Sequence, residues 1–253
     1  MNSGCKFFHS MILETVLILG FAVAAFADII TIGTLPTGNE RVTVFLDGEW
    51  DCTVTDFSQT SVPTVYDNTI PVPGFWDMAT RNLGTVRETS ALWYHKTVHL
   101  QEIPGSVILR INKAHYGRKV YINGQLVLDY PYNFTASETN IREFLVEGDN
   151  EIIIRLGNYL QQRDDPACPA HTGSDYEKNS YLPGIPDSIS LLLCSNPVVE
   201  SVRSVSLIDT NGDMTGELKV NAMIRNDLAN SISNTAITFT VHFASVDSII
   251  NIV

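Results

Sequence analysis

In the segment Lys119 to Leu128, KVYINGQLVL, the dipeptide Asn123-Gly124 separates two short runs of largely apolar, β-favouring residues. Asn-Gly readily takes the positive φ values of a two-residue type I′ turn, so an antiparallel hairpin is predicted there. The same texture continues along the chain: short β-favouring runs alternate with turn residues, and no long stretch places apolar residues at helical spacing. Predicted strands cover Arg41 to Phe45, Glu49 to Thr55, Ala91 to Leu100, Ser106 to Asn112, Lys119 to Ile122, Gln125 to Asp129, Asn140 to Val146, Glu151 to Leu156 and Ser188 to Leu193. A second hairpin is predicted where Glu147-Gly148-Asp149-Asn150 separates two strand-like runs. The expected fold is all-β, a sandwich.

The first 27 residues have a different character. Lys6 precedes the apolar run Val16 to Ala27, which is too short for a spanning helix of roughly 20 residues. The run ends in Ala25-Phe26-Ala27, a small-x-small pattern that signal peptidase cuts, so a secreted or periplasmic chain beginning at Asp28 is expected. No membrane span is expected in the mature form. Loss of Cys5 with the signal leaves Cys52, Cys168 and Cys194, without Cys-x-x-Cys spacing. That argues against a disulfide framework, while one pair, for instance Cys168 with Cys194, stays open.

Between Asn158 and Pro186 the alternation lapses into a polar, Pro-containing stretch, and an ordered, functional loop is expected there. Ser195-Asn196-Pro197 reads as a linker. New strands follow at Val198 to Ile208, Glu217 to Arg225 and Thr235 to Phe243, with turns at Asn211-Gly212-Asp213 and Asn226-Asp227. The expected organisation is a signal peptide over 1–27, a sandwich over 28–195 and an incomplete second β domain over 196–253. The last has fewer strands than the roughly seven of an immunoglobulin-like sandwich, and the apolar ending Ile250 to Val253 suggests truncation.

A formal net charge of -12 argues against nucleic acid or an anionic membrane surface as partner, because both need a basic footprint. A neutral or cationic ligand fits that charge better, and the low charged fraction of 17% suits a β-rich extracellular domain.

The ordered set of short motifs from about residue 45 to 195 resembles the non-catalytic N-terminal part of family 2 glycoside hydrolases, the group of β-galactosidases, β-glucuronidases and β-mannosidases. The matching residues are Leu46-Asp47-Gly48-Glu49-Trp50, Val72-Pro73-Gly74-Phe75-Trp76, Leu92-Trp93-Tyr94 and Val120-Tyr121-Ile122-Asn123-Gly124. They continue with Glu147-Gly148-Asp149-Asn150-Glu151-Ile152, Leu156-Gly157-Asn158 and Pro183-Gly184-Ile185. The resemblance implies a jelly-roll (galactose-binding-like) sandwich, then an immunoglobulin-like domain, then, in a longer parent protein, a (β/α)₈ barrel with two catalytic glutamates. A barrel of that kind needs about 250 further residues. The chain departs from the family at Tyr94-His95-Lys96, where Tyr-Arg is common, and at Gly184-Ile185-Pro186, where a bulky residue commonly follows the isoleucine.

Retaining glycosidases set two carboxylates about 5 to 5.5 Å apart across the scissile bond. Neither Asn-Glu pair of this chain fits such a role, since Asn39-Glu40 falls in an N-terminal loop and Asn150-Glu151 in the predicted hairpin turn. No catalytic residue is therefore assigned. The long loop carries Asp164, Asp165, Asp175 and Glu177 near His171 and Tyr176. By the resemblance, an acidic side chain of this loop, Asp175 or Glu177, hydrogen-bonds sugar hydroxyls in the barrel's pocket; a solvated loop charge is the plainer reading. A carboxylate suits the role because both oxygens accept from hydroxyls.

Flat aromatic faces also suit sugar C–H groups. Trp50 and Trp93 alternate within strands and read as core, whereas Trp76, followed by Asp77, sits at a loop edge and reads equally as core or stacking platform. Tyr176 completes the candidate substrate-binding set of Asp175, Glu177, Trp76, Asp77 and Tyr176. His95 and His99 share a strand face with Trp93 and Thr97 and read as surface histidines. No cofactor is expected, and no ligand spacing supports a metal. Asn133-Phe134-Thr135 matches the N-glycosylation pattern. The expected partners are a carbohydrate and the parent's catalytic barrel. A free-standing carbohydrate-binding or adhesion module is the alternative, since fold alone does not settle function.

Overall fold

The computed structural model describes residues 27–33, 36, 40–79, 90–157, 183–208, 216–233, 236–242 and 247–252. Within them the strands are β1 (Ile30–Ile32), β2 (Arg41–Phe45), β3 (Gly48–Asp56), β4 (Asn68–Val72), β5 (Gly74–Phe75), β6 (Ser90–Leu100), β7 (Ser106–Ile111), β8 (Arg118–Ile122) and β9 (Gln125–Tyr130). They continue as β10 (Ser137–Asn140), β11 (Gly148–Leu156), β12 (Gly184–Ile185), β13 (Ile189–Cys194), β14 (Val198–Ile208), β15 (Gly216–Arg225), β16 (Ile237–His242) and β17 (Asp247–Ile252).

Two antiparallel sheets enclose the core. One has the order β4-β3-β6-β11-β8-β9, with β1 adding in parallel to the end of β6; the other has the order β10-β7-β13-β2. The period-two alternation sets which side chains meet between them. From β6, Leu92, Tyr94, Val98 and Leu100 join a core that also holds Trp50, Ile111, Val120, Ile154 and Leu191. The opposite face of β6 carries Trp93, which with Ala91 and Ile153 forms a smaller cluster under Phe57, Val62 and Tyr66. Trp50 and Trp93 are both fully buried, as their strand positions predict.

The hairpin predicted from KVYINGQLVL forms. Asn123 and Gly124 have φ values of 49° and 79°, and β8 pairs antiparallel with β9 across them. The second predicted hairpin does not form. The run expected as a strand over Asn140 to Val146 ends β10 at Asn140 and then makes a 3₁₀ turn over Arg142–Phe144. Gly148, Asp149 and Asn150 open β11 instead of making a turn, so Asn150-Glu151 lies in a strand. β11 pairs with β6 and β8, whereas β10 pairs with β7. The Asn150 side chain at the start of β11 is buried. It accepts the Val146 N–H at 2.8 Å and donates to the Val146 and Gly148 carbonyls, satisfying the loop internally.

Beyond Pro197, β14 and β15 pair antiparallel, and so do β16 and β17. Arg225 holds the turn after β15, with Nε donating to Asp227 at 2.6 Å and Nη1 donating to Glu200 at 2.7 Å.

Candidate functional site

Two glycines bring distant motifs of the chain together. Gly74–Phe75 pairs antiparallel with Gly184–Ile185. A Cβ on Gly74 would lie closer than 3.0 Å to the Pro71 carbonyl oxygen, and one on Gly184 would lie 2.7 Å from the Phe75 Cα. Only glycine permits this approach of the two backbones. Directly after β5, the Trp76 N–H donates to the Pro183 carbonyl at 3.0 Å.

The same edge holds both ends of the long polar loop. Gly157 donates its N–H to Tyr116 O at 2.9 Å, and Gly184 exchanges backbone hydrogen bonds with His115 at 2.9 and 3.1 Å. The chain therefore leaves the sheet at Gly157 and returns at Pro183 against adjacent residues, His115 and Tyr116, with Trp76 beside the return.

Trp76 is half-buried and packs on the main core, and its indole N–H is buried with no hydrogen-bond partner among the described residues. Asp77 follows it in a 3₁₀ turn over Trp76–Met78 and is exposed. The structure thus gives Trp76 a packing role while leaving its polar atom at the loop's anchoring point. Asp175, Tyr176 and Glu177, with Asp164, Asp165, Cys168 and His171, lie outside the described residues.

Sequence reasoning did not single out the aromatic neighbours of this edge. The His115 ring lies 4.2 Å from that of Phe134, edge-on, and 6.0 Å from that of Phe75. Nothing in local composition marks His115, because its place depends on a backbone bridge to a residue 69 positions later, Gly184. Arg118, three residues on, is buried, with no carboxylate beside it among the described residues. Its Nε donates to Ser137 at 2.8 Å, Nη2 donates to Thr135 O at 2.6 Å, and the guanidinium lies 4.5 Å from the Tyr130 ring centroid. Burial pulls the Arg118 guanidinium down to about 10.

Other sequence candidates resolve into structural roles. His95 lies between Asp51, 3.3 Å from Nδ1, and Glu151, 3.5 Å from Nε2, and stacks on Tyr66 at 4.8 Å. His99 pairs with Asp149 at 2.6 Å on the exposed face. Cys52 and Cys194 are free and buried. Asn133, the sequon asparagine, is buried, and its Oδ1 accepts the Gly117 N–H at 2.8 Å. Among the described residues, no three His, Cys, Asp or Glu side chains converge as metal ligands, and no helix is long and apolar enough to cross a membrane.

No family model matches the chain, and no curated protein matches it by sequence. Solved structures do. A β-D-mannosidase from Dictyoglomus thermophilum superposes with a TM-score of 0.52 at 17% identity, over 73% of this chain and 26% of its own. A β-glucuronidase from an uncultured Clostridium sp. gives 0.55 at 16% identity, over 87% of this chain and 46% of its own. A β-glucuronidase from Ruminococcus gnavus gives 0.54 at 16% identity, over 77% and 35%. The fold is one that glycosidases contain. This chain spans less than half the length of each of these three structures.

Proposed function

We propose that this chain is the N-terminal, carbohydrate-recognising portion of a secreted family 2 glycoside hydrolase, with residues 28–195 as a jelly-roll domain and 196–253 as part of an immunoglobulin-like domain. Hydrolysis of the β-glycosidic bond, with retention, belongs to a barrel elsewhere in the parent protein, and the chain alone is inactive. The observation that carries this reading is the pairing of Gly74–Phe75 with Gly184–Ile185. It joins two of the motifs on which the family resemblance rests and fixes the returning end of the acidic loop beside Trp76.

In this reading Asp175 or Glu177 accepts hydrogen bonds from sugar hydroxyls, with Tyr176, Asp77 and Trp76 alongside. The likeness to β-mannosidase and β-glucuronidase structures supports the sugar as ligand class. Secretion rests on the N-terminal apolar run, and N-terminal sequencing of the exported protein is expected to begin at Asp28.

The test is hydrolysis of p-nitrophenyl β-galactoside, β-glucuronide and β-mannoside by the 253-residue chain. The expected result is no turnover above buffer. Turnover that disappears on substituting a carboxylate of this chain would overturn the division of labour.

A further inference from the structure

The outer face of the four-stranded sheet carries an ordered array of side chains that the reading above does not use. Cross-strand partners in an antiparallel sheet share a face. The registers Glu138↔Arg110, Arg110↔Ser190 and Ser190↔Phe45 therefore align these four residues in one row across β10, β7, β13 and β2. The next row is Asn140, Ile108, Leu192 and Thr43. Most of these side chains, with Asn112, line a groove of about 250 Å³. Four strands at about 4.8 Å spacing give it a length of roughly 14 Å, enough for pyranose rings in line.

The chemistry of the lining is selective. Phe45 stands at one end with 60% of its surface exposed, a large value for an aromatic side chain in a sheet. Ile108 and Leu192 form an apolar floor. At the other end Arg110 is held in place, its Nε donating to Asn112 at 2.8 Å and its Nη1 lying 3.3 Å from Glu138. A guanidinium has five N–H donors and a carboxylate about four acceptor sites, so this clamp retains both kinds of group beyond its internal contacts. Ser190, Thr43 and Asn112 add hydroxyl and amide groups. The Arg110 and Glu138 charges cancel within the groove, which removes the attraction a phosphate or acidic peptide would need. Alternating donors and acceptors beside an aromatic ring and an apolar floor match a ligand with hydroxyls at its rim and C–H groups on its faces.

We propose that this groove is a second saccharide-binding site, taking a neutral di- or oligosaccharide with one ring against Phe45 and hydroxyls on Arg110, Glu138 and Asn112. The proposal rests on the reading of the chain as carbohydrate-recognising, but Trp76 and the acidic loop take no part in it. The groove is smaller than the roughly 300 to 1,000 Å³ of ordinary ligand pockets, so the site grips only part of a saccharide and serves to hold the protein on a polymeric glycan.

The experiment is a ¹H–¹⁵N NMR titration of the 253-residue chain with cellobiose, xylobiose, mannobiose and lactose. It is repeated for Phe45→Ala, Arg110→Ala and Trp76→Ala, with sedimentation velocity on each. The expected result is perturbation of Thr43, Phe45, Ile108, Arg110, Ser190 and Leu192 by at least one disaccharide. Phe45→Ala and Arg110→Ala should weaken binding tenfold or more without changing the remaining spectrum, and Trp76→Ala should leave it intact. Perturbation confined to residues around Trp76 would overturn the groove while leaving the carbohydrate-recognising reading in place. No perturbation by any of the four sugars overturns it too, and the hydrolysis assay then decides that reading separately. A dimer that Phe45→Ala converts to monomer would overturn it in favour of an interface between copies of the chain.

Discussion

Asn123 donates from Nδ2 to Oδ1 of Asn150 at 2.9 Å, linking the β8–β9 turn to the start of β11. Each amide is used on both sides. Asn123 also donates to Phe144 O and accepts the Glu151 N–H, both at 2.9 Å, while Asn150 closes the loop back to Val146. Buried amide networks satisfied in this way lose more than one bond when a member is removed. Asn150→Ala is expected to lower stability by about 2 to 4 kcal/mol, measured by urea denaturation. Asn150→Asp should be at least as damaging, because a carboxylate cannot donate to the Val146 and Gly148 carbonyls.

Gly74 and Gly184 give the second prediction. An alanine at either position forces backbone apart at the loop's anchoring edge, and overpacking of this kind costs about 1 to 3 kcal/mol. Gly124→Ala is the contrast, since nothing lies within 4 Å of its added Cβ and only the φ of +79° opposes it. Hydrogen exchange is expected to show faster exchange at Trp76, His115 and Gly184 in Gly74→Ala, and no such local change in Gly124→Ala.

The contrast between the two predicted hairpins shows what the sequence can and cannot reveal. Asn123-Gly124 is legible because its turn chemistry is local and both strands lie within six residues of it. Gly148-Asp149-Asn150 carries equally strong turn composition, but β11 finds its partners in β6 and β8, and nothing local encodes that topology. β4 shows no strand period in the sequence because Pro71 interrupts it. It lies at the edge of its sheet, where the absent proline N–H removes no ladder bond. β5 and β12 have two residues each, too few for any period to show, yet they build the candidate site. Trp76 was legible as a loop-edge residue because glycine and proline precede it, whereas the Phe45 to Glu138 row was invisible until register placed four strands side by side.

The third prediction concerns pH. Burial, helped by the Asp67, Asp51 and Glu49 carboxylates, pushes the Cys52 thiol up from 9.0 to about 12. Below 9.0 both folded and unfolded chains keep the proton; between there and about 12 only the folded chain does, so stability falls as pH rises through that window. Tyr66, pushed upward chiefly by burial, adds to the same slope. Native protein at pH 8 should resist Ellman's reagent at Cys52 and react once unfolded in urea. Cys52→Ala should flatten the alkaline decline in melting temperature.

The fourth concerns Asn133. An oligosaccharide cannot be accommodated on a buried asparagine that is hydrogen-bonded to Gly117, so the folded domain is not a glycosylation acceptor at this sequon. Protein secreted from a glycosylating host should show no mass change at the Asn133 peptide on treatment with peptide N-glycosidase. A glycan there would mean that the β9–β10 connection is open when the chain is modified.

Whether this chain is the non-catalytic part of a glycosidase is decided by the coding sequence downstream of Val253. The expected result is a continuation, in frame or after a frameshift, that completes the second β domain and then encodes about 250 residues of alternating strands and helices with two glutamates at strand ends. A genuine stop codon followed by an unrelated gene would contradict it and leave a free-standing module in its place.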